Sequence, residues 1–393
     1  MTPSKRGVDT SDWASTLQEM RQRAGHALAG IVPRSETISG VEWQQHSLSY
    51  DQFPVPELIL YGLRNLGGLQ SYGPQEKLRW AISGSCGHLP FLICLEKSGL
   101  RLYLPRGSSD QMLHDLLGRF RTAANLAETC LRYLAELQIE AGNVTIENQY
   151  RSFRGAYEFF RSKAGAAYEA KPTHAVVTRR DSTGRVRGLS HRPWQHQIEG
   201  GYLAGAMVDA YFSLLEHVLV LVLPFLDFDP RSGALKRFVG LTWDQKWREV
   251  FDVGGNLEAK RVWEQLRHIK ETVRNPLSHG GFGKNGTSFF FHVDTNGALP
   301  ALLTRHGRSF ELFMTRVPRQ RYQELCRELD EVDEFLEKSR IGAGIQYARA
   351  SLDISFGADF RRECRLASES PEALKRLIER QAHLSDMHAN MDY

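Results

Sequence analysis

Residues 256–281, NLEAKRVWEQLRHIKETVRNPLSHGG, join a helical apolar repeat to a run of cations and an abrupt stop. Ala259, Val262, Leu266, Ile269 and Val273 recur three and four apart, which predicts a helix over 256–278 with one core-facing stripe. Arg267, Lys270 and Arg274 repeat with the same spacing and are expected to stack on one face beside that stripe. Pro276 lacks the N–H that a continuing helix needs, so the backbone is expected to bend or end there. The bend would swing His279 back toward Arg274, and Gly280 and Gly281 permit close approach beyond it.

Working outward, residues 201–223 are almost wholly apolar and predict a helix buried on nearly all sides. Residues 242–252 predict a short helix, and 319–338 a longer one with Tyr322, Leu325, Leu329, Val332 and Leu336 on one face. Between them, Phe289 to Phe291 before Asn296-Gly297, and Ser309 to Phe313 after His306-Gly307, predict a small β piece. Toward the N-terminus, residues 11–30 read as a helix capped by Ser11 or Asp12. Leu89–Leu95 and Leu100–Leu104 flank a Gly-ended turn and predict a hairpin, followed by an amphipathic helix over 109–141. A second hairpin is expected from His174 to His191. The expected organisation is an α+β domain over 1–195, a helical domain over 196–345 and a polar, peripheral tail over 346–393 carrying one charged helix.

The chain has 393 residues, enough for at least two cores, and 41% hydrophobic content excludes a low-complexity or collagen-like polymer. The apolar run from Tyr202 to Leu226 is broken by Asp209, Glu216 and His217, so no membrane span is expected. The N-terminal stretch has no apolar core of the secretory kind, and a cytoplasmic protein is expected. Five scattered cysteines without a CxxC pair fit reduced thiols. Net charge is only +4, but residues 151–192 hold ten Lys and Arg against three acids, with Tyr157, Phe159, Phe160, Tyr168 and Trp194 close by. Such a stretch is either a polyanion-binding surface or a solvated hairpin and helix face.

Arg274 and His279, with four residues between them and Asn275 directly after the arginine, offer a permanently charged fork beside a group that titrates near neutrality. That pair suits stabilisation of an anionic phosphorus centre with proton transfer at a phosphodiester. The segment Arg274-Asn275-Pro276-Leu277-Ser278-His279 resembles the RNxxxH (Rx4-6H) signature of the HEPN superfamily, and the resemblance extends over roughly residues 200–340. It implies a mainly α fold: a C-terminal HEPN-like bundle with a β-hairpin insert, preceded by the α+β domain. It also implies a metal-independent endoribonuclease in which the RNA 2′-OH attacks, leaving 2′,3′-cyclic phosphate and 5′-OH ends. Arg274, His279 and Asn275 would be catalytic, with Glu216 and Lys270 in support and RNA contacts from Arg267, Lys270 and Lys284. Glu216 ends a thin polar stripe, Asp209, Ser213 and Glu216, on the apolar helix, and would hold Arg274 or tune His279. The resemblance further implies a homodimer, a trigger or antitoxin partner, and a toxin-like or anti-phage setting. The alternative within the same family is a non-catalytic scaffold that binds a partner protein or nucleic acid. His191 and His196 lack an HExxH glutamate, and Gly62 to Gly68 lack the Lys-Ser/Thr of a P-loop, so neither metal nor other cofactor is expected.

Overall fold

The computed structural model describes residues 10–34, 41–171, 176–180, 182–191, 195–274, 282–283, 286–293, 297–303, 310–312 and 317–391. The chain is mainly helical with antiparallel β structure. It divides into two compact units. One holds residues up to Gly142 with 231–233 and 379–393; the other holds 143–230 and 234–378. The expected boundary at 195 therefore moves to 142/143. The expected tail from 346 is likewise replaced by chain that belongs to both units.

In the first unit, α1 (Thr10–Ala27) starts at Thr10, ahead of the expected Ser11 or Asp12 cap. A six-stranded antiparallel sheet follows, in the order β1 (Ile31–Pro33), β4 (Leu78–Cys86), β5 (Leu89–Glu96), β6 (Gly99–Pro105), β2 (Trp43–Leu48), with β3 (Ser71–Tyr72) also on β4. The expected hairpin is β5–β6, in register from Leu92 opposite Tyr103 to Glu96 opposite Gly99. The short α2 (Glu57–Tyr61) runs into a π turn over Gly62–Leu66. The long α3 (Asp110–Ala141) lies within one residue of expectation at its start and ends where expected. Ser109 Oγ accepts the Met112 N–H at its N-terminus, and Gly142 closes it at φ 68°, a left-handed cap that glycine adopts without Cβ strain. Leu116, Phe120, Ala123, Ala127 and Cys130 form its buried stripe, which covers the sheet residues Phe91, Ile93, Leu102 and Leu104 and meets Met20 and Ala24 of α1.

The second unit is built around α5 (Gln195–Leu221), where Ala204, Met207, Val208, Tyr211, Phe212, Leu215, Val218 and Leu219 are all buried. By length and composition this helix could cross a membrane, but most of its apolar window is packed inside the unit. Against it lies α4 (Tyr150–Glu169), in the basic stretch. A Cβ on Gly200 would come within 2.7 Å of the Tyr168 ring, so the two helices pack here through glycine. Tyr157 and Tyr168 are core residues, and Arg154 and Arg161 bond Asp333 (2.6 Å) and Asp330 (2.7 Å) of α9 (Arg319–Lys338). Two aromatics and two cations of the expected polyanion surface are thus committed to holding helices together. Phe159 stays exposed under Lys163, and Trp194 lies outside the described residues.

The other helices are α6 (Ala234–Val239), α7 (Trp243–Val250), α8 (Leu257–Ile269), α10 (Gly342–Arg349), α11 (Ala358–Ala367) and α12 (Pro371–Asn390). On α9, Leu325, Leu329, Val332 and Leu336 are buried as expected, with Tyr322 half-buried. Short strands complete the unit: β7 (Thr145–Ile146) pairs with β14 (Ile354–Ser355), β8 (Val176–Arg180) with β9 (Val186–His191) as the expected second hairpin, and β10 (Phe282–Gly283), β11 (Gly286–Val293), β12 (Gly297–Leu303) and β13 (Phe310–Leu312) form a four-stranded antiparallel sheet. The segment after 345 is not peripheral. Tyr347, Phe356, Cys364 and Leu374 join the main core, and Asn148 Nδ2 bonds the Ala348 and Leu352 carbonyls at 2.8 and 3.0 Å.

All five cysteines are free, and Cys94, Cys130, Cys326 and Cys364 are buried. Burial pushes the Cys94 thiol up to about 12, aided by the Glu96 carboxylate, and raises the other three as well. Titration with a thiol reagent at pH 8 is expected to modify only half-buried Cys86 in the folded chain. The other four should react after denaturation, and rapid modification of all five in the native state would contradict these packing positions.

Candidate active site

The arginine of the motif sits where α8 loses its regular winding. Asn256 caps α8, its Oδ1 accepting the Ala259 N–H at 3.0 Å, and the stripe Ala259, Val262, Leu266, Ile269 and Val273 is buried throughout. From Lys270 to Arg274 the backbone widens into a single π turn, shortly before Pro276. The proline has no N–H to return to the turn before it, and widened turns of this kind are frequent at functional sites. Asn275, Pro276, His279 and Lys284 lie outside the described residues.

Arg274 points onto α5. Its Nε donates to Asp209 Oδ1 at 2.6 Å, and the guanidinium lies over the Phe212 ring at 5.4 Å. Asp209, not Glu216, is therefore the acid that holds Arg274. Glu216 is two turns further along α5, about 10 Å by helical rise, and faces the ammonium of Lys246 at 3.9 Å. Ser213, between them on the stripe, donates back to the Asp209 carbonyl at 3.0 Å. His217 accepts the Gln149 N–H at 3.0 Å and lies against the Phe153 ring at 5.1 Å, a structural role. Burial lowers its pKa, with Glu147 opposing.

Lys270 joins Arg274. Its ammonium stands 5.5 Å from the centre of the Trp243 ring, and Trp243 meets Phe212 edge to face at 5.2 Å. One aromatic pair thus carries two cations, each over a π face. Burial, followed by the positive charge of Arg274, pulls Lys270 below its ordinary range; Glu216 and Asp244 oppose that shift. Arg267, expected on the same face, has other partners. It lies 4.9 Å over Trp263 and pairs with Glu271 at 3.3 Å, while the Trp263 indole donates to Asp244 at 2.7 Å. The stacking of all three cations is corrected to two, because Arg267 has its own aromatic partner one turn earlier.

Sequence reasoning missed Lys246. It is only 5% exposed, although it is a lysine. The capping box of Thr242 and Gln245 starts α7, whose buried residues Trp243, Lys246, Trp247 and Val250 follow the spacing of an apolar stripe. A lysine at the second position of that stripe was the available signal. Burial lowers its pKa, partly offset by Glu216.

These side chains place an oriented guanidinium and two ammoniums near Asp209 and Glu216, with Asp244 also acting on Lys270. Among the described residues, the terminal nitrogens of Arg274 have no hydrogen-bond partner. A fork anchored at Nε and open at its terminal nitrogens is suited to bidentate recognition of a phosphate. Comparison of the chain with protein-family models, with curated proteins and with solved structures finds no significant match.

Proposed function

We propose that the second unit is a metal-independent endoribonuclease of HEPN type. The observation that carries this reading is the anchoring of Arg274 by Asp209, half-buried over Phe212, at the residue that opens the Arg-Asn-x-x-x-His motif in the sequence. In the proposed reaction His279 takes the proton from an RNA 2′-OH, and that oxygen attacks the adjacent phosphorus. Arg274 bonds the non-bridging oxygens as negative charge accumulates on them. The bond to the 5′-oxygen breaks, His279 returns a proton to that oxygen, and the products are a 2′,3′-cyclic phosphate and a 5′-OH. No bond is made to a metal, because the substrate supplies its own nucleophile. Asn275 orients His279, and Arg267, Lys270 and Lys284 contact the RNA backbone. In this reading two copies pair to form a composite cleft, and the first unit senses a trigger or antitoxin partner in a cytoplasmic, toxin-like or anti-phage setting.

The same ion pair supports a second reading, a non-catalytic scaffold, since Asp209 already balances the Arg274 charge. His279→Ala separates the two readings. Under the nuclease reading it abolishes cleavage of a mixed single-stranded RNA pool without changing thermal stability. A wild-type protein that binds a partner through this face and never cleaves RNA, with or without that partner, would favour the scaffold.

A further inference from the structure

Lys246 is placed at a cost. An ammonium in a core stripe loses hydration, which a methionine at the same position would not. The only carboxylate it meets among the described residues is Glu216, at 3.9 Å, too far for a hydrogen bond. Its three donors have no hydrogen-bond partner among those residues. Lys270 likewise makes no salt bridge among them, and its positive end rests on the Trp243 ring. The indole Nε1 of Trp243, one turn before Lys246, is buried without an acceptor. Buried donors without acceptors are rare and call for an explanation. Among these donors only the indole is fully buried without an acceptor; the two ammoniums share Glu216, whose charge acts on both, and Lys270 also feels the charge of Arg274. Glu216 is more than one-third exposed, so the outer end of its pair with Lys246 meets solvent.

We propose that Lys246 and Lys270 form a second anion subsite beside Arg274, which takes the phosphate next to the one being cleaved in a single-stranded RNA. The subsite rests on the ribonuclease reading for the identity of its ligand, not for its geometry. Glu216 holds the Lys246 ammonium in place until the phosphodiester replaces it as the nearer negative partner. Lys246 is thus a binding and positioning residue, and the scissile phosphate is oriented because its neighbour is held.

The test uses the full-length chain and a fluorescently labelled single-stranded RNA with 2′-O-methyl groups throughout, which has no nucleophile and stays intact. Binding anisotropy is followed across a salt series for wild type, Lys246→Met, Lys246→Arg and Lys270→Met, with unmodified RNA cleaved in parallel. Lys246→Met is expected to weaken binding about tenfold and to lower the slope of log affinity against log salt by about 0.7, the loss of one phosphate contact. Its melting temperature should stay the same or rise, because the buried charge is gone. Lys246→Arg should keep the slope, and Lys270→Met should lower it by the same amount. Unchanged affinity and slope in Lys246→Met would overturn the subsite, as would a fall in melting temperature with the slope intact, the mark of a purely structural ion pair. Absence of binding by wild type would also overturn it, and inorganic phosphate binding as tightly as the oligonucleotide would overturn the RNA assignment. If wild type cleaves and Lys246→Met behaves identically, the nuclease stands and the subsite falls. If the Lys246→Met binding defect appears without any wild-type cleavage, the subsite stands and the nuclease reading falls.

Discussion

Replacing Arg274 with alanine is expected to lower the RNA cleavage rate at least about a thousandfold, roughly 4 kcal/mol of transition-state stabilisation. In the proposed reaction the guanidinium acts where charge develops, so the loss belongs in kcat more than in KM. Asp209→Asn is the informative companion. It keeps the size of the side chain but removes the carboxylate that fixes the Arg274 Nε, at 2.6 Å. The amide oxygen can still accept from Nε but without its charge, so the fork is held more weakly, and a fall of up to about tenfold is expected from looser placement alone. Rates measured under single-turnover conditions for wild type, Arg274→Ala and Asp209→Asn check this order. An Arg274→Ala protein that folds and cleaves at the wild-type rate would remove the residue from the reaction.

The second large effect concerns the core beneath the site. Trp247 is fully buried, packs on Phe251 and Phe335 at 4.5 and 5.7 Å, and donates its indole N–H to the Ala259 carbonyl at 3.3 Å. It therefore ties α7 to both α8 and α9. Trp247→Ala empties that space and removes the indole bond to α8, and a loss of about 4 kcal/mol is expected. Trp247→Phe keeps the ring packing and removes only the donor and part of the volume, for about 1–2 kcal/mol. Because the chain has two units, urea unfolding should be followed by two probes. The transition reporting on residues 143–378 should shift in both variants. A Trp247→Ala protein within 1 kcal/mol of wild type, by the same order-of-magnitude rule, would contradict the packing described.

Much of the fold was readable from local pattern. The stripe on α3, the β5–β6 hairpin and the apolar length of α5 carry their signals within thirty residues, where helix and strand periods are strongest. The first sheet was only half visible. β2 is polar on most of its length and β4 is interrupted by Ser83, Gly84 and Ser85, so neither shows clean alternation. The 142/143 boundary was hidden because α4 looks like a charged surface. Its Arg154 and Arg161 find Asp333 and Asp330 more than 160 residues later, a pairing that no local window contains. The segment after 345 misled because its charged last helix draws attention from the apolar residues before it: Tyr347, Ala348, Ile354, Phe356 and Cys364 are all buried.

The site was legible in its first half. Arg274 and its polar counterpart on α5 were both marked by spacing, but the choice between Asp209 and Glu216 depends on where α8 crosses α5. The π turn helps to set that crossing and leaves no mark in the sequence beyond Pro276. Lys246 shows the opposite case. Its place in the Trp243–Val250 stripe was visible in the sequence and simply conflicts with the usual exposure of lysine.

The measurement that tests the central claim most directly is an analysis of RNA ends. Purified wild type, Arg274→Ala and His279→Ala are incubated with a mixed single-stranded RNA pool in EDTA, and the products are identified by mass spectrometry. Fragments ending in 2′,3′-cyclic phosphate and beginning with 5′-OH, formed by wild type and by neither variant, are the predicted result. Cleavage retained by both variants, or ends bearing a 5′-phosphate, would contradict it.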